Sequence, residues 1–176
     1  MIKIRKADCK DLRQISYIHV DTWRDAYRGI IDNYILGKLS YGRSQDNWKN
    51  CMAKLSDYFY VAEKDDIVVG FITGGNLRDE ELLYDAEVYA MYILPEYQKQ
   101  GIGKMMLDQI VIDFHHEGWK QFLIWCLEKN PARAFYESLG GVHTHAAKIT
   151  IGGRNLIKNG YLFDTDIFLK RENSEV

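Results

Sequence analysis

The chain has 176 residues, a size that suits one domain with one substantial hydrophobic core. Hydrophobic residues make up 47% of the chain and charged residues 27%, which is ordinary for a globular protein. The net charge of −2 argues against nucleic acid as a partner, because that partner needs a basic surface.

The cysteines and the N-terminus bear on the cellular compartment. Cys9, Cys51 and Cys126 lie far apart and are odd in number, which argues against a disulfide framework and favours a reducing environment. The N-terminal stretch lacks the apolar core of a signal peptide, and no apolar run approaches the length of a membrane span. We therefore expect a cytoplasmic protein without a membrane partner.

The first third of the chain predicts a short strand followed by helices. Residues 2–4 alternate as in a strand, and Asp8 can cap the helix that follows. The apolar stripe of that helix is Leu12, Ile15, His19, Trp23 and Ala26. Gly29 and Asp32 then break and restart the helix, and a further helical stripe begins at Trp48.

The middle of the chain predicts three strands. Residues 57–75 alternate on either side of Asp65-Asp66, a pattern typical of a β-hairpin. Residues 85–95 form a third strand-like run that Pro95 ends. In this run Glu87, Tyr89, Met91 and Ile93 are predicted to face one way, because side chains alternate along a strand.

The last part predicts helix, strand, helix and hairpin. The first helix covers about residues 102–116 with a stop at Gly118, and the continuously apolar residues 121–127 indicate a buried central strand. Asn130 and Pro131 start a short helix, a hairpin turns at Gly152-Gly153, and residues 170–176 are expected to fray. This order predicts a single domain over 1–176, an α/β fold with a mixed sheet and helices on both faces.

A glycine-rich loop lies between the third predicted strand and the helix at 102–116. Backbone amides at a helix N-terminus favour phosphate, and Gly101 and Gly103 remove the Cβ atoms that would keep a pyrophosphate at a distance. Lys99 and Lys104 add positive charge. The simpler alternative is a tight strand-to-helix turn, because two glycines alone are weak evidence.

Two common phosphate motifs do not fit this loop. A dinucleotide fingerprint needs a third small residue where Met106 stands. A P-loop needs glycine in place of Gln98 and serine or threonine in place of Met105. Both common phosphate motifs therefore fail at this loop.

The loop "QKQGIG", with Gln98, Gly101 and Gly103, resembles the Q/R-x-x-G-x-G/A loop of the GNAT-type N-acetyltransferases. Residues 88–97 are similar to the strand that leads to that loop, and residues 21–35 resemble the first two helices of many bacterial members. The segment "EKNPARAFYESLGG" resembles a later family segment with Asn130, Phe135, Tyr136 and Glu137. One departure is Gly141, which stands where the family usually has an aromatic residue.

The resemblance implies the GNAT fold and acetyl-CoA as co-substrate, with the pyrophosphate on the loop and the pantetheine arm on the strand before it. The N–H of Met91 would polarise the thioester oxygen. The residues implied in cofactor binding are Met91, Tyr92, Ile93, Gln98, Lys99, Gln100, Gly101, Ile102, Gly103, Lys104 and Asn130. Asn130 is explained equally well as a helix cap. Family members often form homodimers, but no surface in the sequence identifies an interface.

Glu87 is the candidate general base, because the resemblance places a catalytic glutamate at this position of the strand. Acetyl transfer to an amine needs such a group, since an alkylammonium has a reference pKa near ~10.4 and little free amine exists at neutral pH. The alternative is a glutamate that faces solvent on an edge strand. Asp85 or a water held by the backbone could take the same role.

Tyr136 is the candidate general acid that protonates the departing CoA thiolate, again by resemblance. A tyrosine phenol, with a reference pKa near ~10, keeps its proton at neutral pH. The alternative is core packing, because Tyr136 shares an apolar helix stripe with Phe135 and Leu139. Both alternatives stay open at this point.

The acceptor pocket is predicted around Trp23, Tyr27 and Tyr34, at the break between the first helices. An acidic group at 79–87 favours a cationic small-molecule amine, such as a polyamine or an amino sugar. A protein or peptide amine is the alternative acceptor, and a non-catalytic acyl-CoA sensor is the alternative function. No metal is expected, because His143 and His145 lack neighbours at metal-ligand spacing, and Cys126 is expected to pack inside its strand.

Overall fold

The computed structural model describes residues 1–55 and 58–172. Over these residues the strands are β1 (Ile2–Lys6), β2 (Phe59–Lys64), β3 (Ile67–Asn76), β4 (Ala86–Ile93), β5 (Gln121–Leu127), β6 (Val142–Ile151) and β7 (Arg154–Asp164). The α-helices over the same residues are α1 (Leu12–Ala26), α2 (Asn33–Gly37), α3 (Tyr41–Leu55), α4 (Ile102–His116), α5 (Arg133–Ser138) and α6 (Thr165–Glu172). None of them is long and apolar enough to cross a membrane.

The strands form a mixed sheet, as predicted. In the described part of the chain, seven strands hydrogen-bond in the order β1-β2-β3-β4-β5-β7-β6. Strand β4 runs parallel to β5, whereas β1–β2, β2–β3, β5–β7 and β6–β7 are antiparallel pairs. The parallel pair needs a long crossover, which contains α4.

The chain divides into two compact units, each taken over its described residues. The first unit comprises Met1–Gly74 and Ala90–Ile110, and the second comprises Gly75–Tyr89 and Val111–Val176. The chain passes from one unit to the other within β3, β4 and α4. The single domain over 1–176 stays a prediction.

The first unit has its core on the face of β2 and β3 that α1 and α3 cover. The buried residues of this core are Leu12, Ile15, Ile18, Met52, Phe59, Val61, Val68 and Phe71. Asp8 caps a short 3-10 helix (Cys9–Asp11) ahead of α1, and the Asp11 side chain bonds back to the Asp8 amide. Ile18 and Val20 are also fully buried, so α1 buries a wider face than the predicted stripe.

The turn between β2 and β3 confirms the predicted hairpin. Asp65 and Asp66 both have positive φ values, 50° and 64°. Such a pair of left-handed residues is the requirement of a type I′ turn, whose twist matches that of the flanking strands.

The second unit has its core around β5. Phe122 and Leu123 are fully buried, and the Phe122 ring stacks on Phe163 of β7 with 4.8 Å between centroids. A Cβ placed on Gly141 would lie 2.6 Å from the Phe163 ring. Phe163 therefore fills the space beside Gly141, which explains why no aromatic side chain fits at that position.

The C-terminal segment contains a helix that the sequence analysis did not predict. Helix α6 follows β7 and includes residues 170–172, and the fraying of the tail stays a prediction. The Asp164 carboxylate accepts the Ile167 amide at 2.9 Å, and the buried Phe168 contacts the Phe122 and Phe163 rings. Residues 173–176 of the predicted tail lie outside the described residues.

Candidate active site

In the first unit, a loop of residues 98–101 leads into α4; we call it the glycine loop. Lys99 and Gly101 have positive φ values of 58° and 81°. The left-handed conformation at Gly101 favours glycine, since any Cβ there would be strained. A Cβ built on Gly101 would meet no atom within 4 Å, so the glycine is not required by packing within the protein.

The start of α4 presents backbone amides. The Met105 amide donates to the Gly101 carbonyl at 3.1 Å, the first bond of the helical pattern. The amides of Ile102 and Gly103 precede that bond, as the first amides of any α-helix do. The geometry therefore suits a phosphate group above the helix N-terminus.

The two glutamines of the glycine loop hold its shape. Gln98 donates its side-chain amide to the Ile93 carbonyl at 3.0 Å, and Gln100 donates to the Glu96 carbonyl at 3.1 Å. These bonds tie the loop to the end of β4 and to the turn that follows. The structure thus gives Gln98 a structural partner within the chain.

The cations around the glycine loop include one that was not predicted. The Lys104 ammonium lies 3.1 Å from the Asp108 carboxylate, which offsets part of its charge. Lys64, at the end of β2, donates to the Gln100 side-chain oxygen at 2.7 Å. Sequence reasoning missed Lys64, because a contact between residues 36 positions apart leaves no local signal.

The backbone groups of successive residues in β4 point to opposite edges of the strand. The Leu94 amide, one residue past the strand, donates to the Val69 carbonyl of β3. Because backbone direction alternates along a strand, Met91 and Ile93 present their amides to the other edge. The Ile93 carbonyl accepts the Gln98 side chain, and by the same alternation the Ile93 amide faces the same edge as its carbonyl.

An aromatic cluster in the first unit contains two of the three predicted acceptor residues. Trp23 donates its indole N–H to the Tyr92 hydroxyl at 3.0 Å, and the Trp23 and Tyr27 rings lie 4.8 Å apart. Tyr34 is 66% exposed on α2, with the Lys38 ammonium 4.0 Å above its ring. Tyr92, which was predicted to bind the cofactor, has its side chain in this cluster.

His19 lies within the same cluster. Its ring is 5.4–5.5 Å from the rings of Trp23, Trp48 and Tyr92, and its Nδ1 is 2.8 Å from the Ser44 hydroxyl. Burial lowers the pKa of His19 to about 4, because the charged imidazolium would lose its hydration. His19 is therefore neutral at pH 7.

In the second unit, Glu87 is a buried carboxylate paired with an arginine. Glu87 on β4 is 2% exposed, so the alternative that it faces solvent is wrong. Arg78 donates to Oε1 through Nη2, and to Oε2 through Nε at 3.2 Å and its backbone amide at 3.3 Å. A buried carboxylate requires such compensation, since an isolated buried charge is costly.

Arg78 is the residue that sequence reasoning missed at this place. The Leu77 amide donates to the Asp85 carbonyl at 3.2 Å, which closes the loop between β3 and β4 and carries Arg78 to Glu87. The sequence contained one signal for this pair, because a buried glutamate predicts a nearby cation and Arg78 is the arginine that precedes Glu87 in this loop. The loop geometry determines that Arg78, and not another cation, reaches Glu87.

Tyr89 follows Glu87 on the same face of β4, as the alternation predicted. The Arg78 guanidinium lies 4.3 Å above the Tyr89 ring, so both side chains contact one cation. The Tyr89 hydroxyl donates to the Asn76 carbonyl. Burial raises the pKa of Tyr89, which keeps this phenol neutral.

Tyr136 is the buried residue of α5. It is 7% exposed, and its ring centroid lies 6.1 Å from that of Tyr161 in the same unit. The neighbouring Tyr161 hydroxyl donates to Glu137 at 3.2 Å. Burial fits the packing role of Tyr136, and its catalytic role stays a prediction.

The remaining candidates of the second unit have structural partners. Asn130 accepts the Ala132 amide at 2.9 Å and so caps the turn before α5, which begins at Arg133. Asp85 accepts the amides of Lys120 and Gln121 at 2.7 and 3.0 Å. Burial raises the pKa of Cys126 to about 12, so its thiol stays protonated.

Among the residues that the structure describes, no group of three or more histidine, cysteine, aspartate or glutamate side chains could hold a metal ion.

Comparison with known proteins identifies the family. Residues 56–140 match the family model of the acetyltransferase (GNAT) domain. The chain is 32% identical over 160 residues to the uncharacterized N-acetyltransferase YuaI of Bacillus subtilis, and this match covers 91% of each chain. The chain belongs to the GNAT family of acetyl-CoA-dependent N-acetyltransferases.

Two further matches come from Thermoplasma acidophilum. The chain is 28% identical over 111 residues to a spermidine N(1)-acetyltransferase, a match that covers 60% of this chain and 66% of that protein. The crystal structure of the PaiA N-acetyltransferase in complex with coenzyme A has a TM-score of 0.68 and 22% identity, over 90% of this chain and 98% of that one. This likeness confirms the GNAT fold.

The glycine loop generates a prediction with a matched control. Gly101→Ala and Gly118→Ala each place a Cβ at a φ near +80° with no atom within 4 Å. Both should lower the free energy of unfolding by about 1 kcal/mol, because the left-handed conformation disfavours a Cβ. Only Gly101→Ala should also raise the Kd for coenzyme A, by about tenfold or more, through disturbed hydrogen bonds to a charged group.

Urea denaturation and isothermal titration calorimetry measure the two effects of these glycine variants. Gly118, which lies just after α4, shares the backbone strain but not the loop. Equal coenzyme A affinity in both variants would mean that the glycine loop is only a turn.

His19 generates a prediction on stability and pH. Its pKa is about 4 in the folded chain and 6.5 as the reference value, so between these values the unfolded chain binds a proton that the folded chain does not. This group should therefore remove about 3 kcal/mol of stability as the pH falls from 6.5 to 4. Denaturation curves of the wild type and of His19→Gln measure the contribution. Parallel pH profiles would contradict it.

Proposed function

We propose that this enzyme acetylates a primary amine of a small cationic molecule by direct attack in a ternary complex with acetyl-CoA. The observation that carries the proposal is Glu87, an ionisable side chain buried on the strand that leads towards the glycine loop. A buried carboxylate at this place has no evident structural requirement, since an apolar side chain would fill a sheet interior without an ion pair.

The glycine loop and β4 would hold acetyl-CoA. The amides of Ile102 and Gly103 suit the pyrophosphate, with Lys99 and Lys64 as nearby cations. The amides of Met91 and Ile93 point to the strand edge opposite β3, where they suit the pantetheine arm and the thioester oxygen. When bound, acetyl-CoA supplies an acetyl group activated as a thioester.

Glu87 would act as the general base. The acceptor arrives as an ammonium ion, and its nitrogen needs a free lone pair before it can attack the thioester carbon. The Glu87 carboxylate would take the surplus proton, directly or through a water. Arg78 donates to both carboxylate oxygens, and we expect this pair to open when the acceptor binds.

Tyr136 would act as the general acid. Its proton would pass to the CoA sulfur as the carbon–sulfur bond breaks, and the phenolate would regain a proton from solvent. Its burial on α5 supports a defined side-chain position, which proton transfer requires.

The acceptor class rests on charge and on one relative. The loop between β3 and β4 carries the acidic residues Asp79, Glu80 and Glu81, all exposed. These charges favour a cation by attraction near the buried Glu87 of the same unit. The relative named a spermidine N(1)-acetyltransferase supports a polyamine-like acceptor for this chain.

A panel of acceptors tests the substrate class. We expect CoA release with spermidine, and less with glucosamine and with a peptide that has a free N-terminal alanine. The reason is the match between several positive charges and the acidic loop. Turnover confined to neutral or anionic amines would contradict the proposal. Tight acetyl-CoA binding without turnover on any amine would favour a sensor.

Two conservative variants test the catalytic roles. Glu87→Gln should lower kcat by roughly 10² or more, and this deficit should shrink as the pH rises, because a larger share of the amine is then already deprotonated. Tyr136→Phe should lower kcat by a similar factor, with the Kd for acetyl-CoA unchanged. Steady-state kinetics and calorimetry measure both.

Matched controls separate chemistry from packing. Tyr161→Phe removes a buried phenol of the same unit whose partner is Glu137, and Glu117→Gln removes an exposed carboxylate. Neither control should change kcat by more than about twofold, because neither side chain is assigned a role in proton transfer. Wild-type turnover in both Glu87→Gln and Tyr136→Phe would refute the assigned roles.

A further inference from the structure

The loop between β3 and β4 supplies its own cation to a buried anion. The Glu87 carboxylate accepts three hydrogen bonds from Arg78, yet the Arg78 side chain is 61% exposed. Arg78 lies outside the helices and strands, between Asn76 and Ala86. A charge buried inside the sheet is thus neutralised by a side chain that reaches in from the surface.

The Tyr89 ring also contacts the Arg78 guanidinium. The guanidinium lies 4.3 Å above the ring, a distance at which a cation is attracted to the π-face. The Tyr89 hydroxyl donates to the Asn76 carbonyl, and it lies so close to Gly75 that a Cβ there would be 2.9 Å from the hydroxyl oxygen. The carboxylate and the ring therefore define a preformed site for one organic cation.

We propose that Glu87 and Tyr89 form the subsite for the acceptor's positive charge, and that Arg78 is its resident occupant, which the acceptor displaces. The part of this proposal that concerns the acceptor rests on the proposed function, acetylation of a cationic amine. Arg78 fills three of the roughly four acceptor positions of the Glu87 carboxylate, and Glu87 is 2% exposed, so an ammonium can bind this carboxylate fully only in place of the arginine. The arginine and the acceptor ammonium therefore compete for one carboxylate.

The competition has a measurable consequence. When an internal group occupies a site for nine-tenths of the time, the apparent affinity for an external ligand falls about tenfold. Removal of Arg78 should therefore strengthen binding of a cation to the subsite. If Arg78 only positioned Glu87, its removal would lower kcat and would not strengthen the binding of a cation.

Methylguanidinium chloride is the direct probe, because it reproduces the Arg78 head group. We expect Arg78→Ala to bind one equivalent by isothermal titration calorimetry, with at least about tenfold higher affinity than the wild type. Arg78→Ala/Glu87→Gln should lose this binding. Arg78→Ala/Tyr89→Leu should bind about tenfold more weakly than Arg78→Ala, because the aromatic face is gone.

Folding and kinetics complete the experiment. Circular dichroism checks each variant, and Arg78→Gln, which keeps a hydrogen-bond donor for Glu87, replaces Arg78→Ala if that variant unfolds. With spermidine as acceptor, the Arg78 variant should show a KM about tenfold lower than the wild type. Equal methylguanidinium binding in wild type and variant would overturn the proposal. A low kcat in the Arg78 variant that rises on addition of methylguanidinium would also overturn the proposal, because Arg78 would then be a residue that positions Glu87.

The binding arm and the kinetic arm separate the two proposals. If no amine is acetylated but methylguanidinium binds in the expected order, the cation subsite stands and the proposed function fails. If amines are acetylated but the Arg78 variant binds no methylguanidinium, the proposed function stands and the subsite fails.

Discussion

The ion pair between Glu87 and Arg78 is the interaction on which the account of this enzyme depends. A carboxylate inside a sheet is stable only with a partner, and here the partner comes from an exposed loop. The pair satisfies the buried charge in the free enzyme and keeps an anionic side chain on β4 where an apolar one would pack without compensation. In the free enzyme, the Glu87 carboxylate that would deprotonate an acceptor is thereby paired with the Arg78 guanidinium.

Strand β4 connects this ion pair to the donor side along the chain. Glu87 and Tyr89 lie at its start, Met91 and Ile93 follow, and the glycine loop comes directly after the turn at Pro95–Tyr97. The ladder between β4 and β5 comprises the pairs from Ala86↔Phe122 to Val88↔Ile124, although β4 continues to Ile93. The later backbone groups of β4 are thus available for roles other than this parallel ladder.

Local features of this chain could be predicted from its sequence, because local residues determine them. Helix α4 has the predicted bounds, and the turns at Asp65-Asp66 and Gly152-Gly153 have the positive φ values that hairpins require. The alternation that places Glu87 and Tyr89 on one face is equally local.

Partners from distant loops could not be predicted in the same way. The bonds from Arg78 to Glu87 and from Lys64 to Gln100, and the filling of the space beside Gly141 by Phe163, depend on how separate segments meet. Helix α6 was missed for a related reason, since its buried Phe168 is anchored by rings of β5 and β7. The candidate site was therefore predicted as a set of residues and not as a network.

A crystal structure of the enzyme with coenzyme A and spermidine tests the central claim most directly. The account predicts pyrophosphate oxygens about 3 Å from the Ile102 and Gly103 amides, and a spermidine ammonium at the Glu87 carboxylate with the Arg78 side chain displaced. An Arg78 side chain that remains on Glu87 while spermidine binds elsewhere would contradict it.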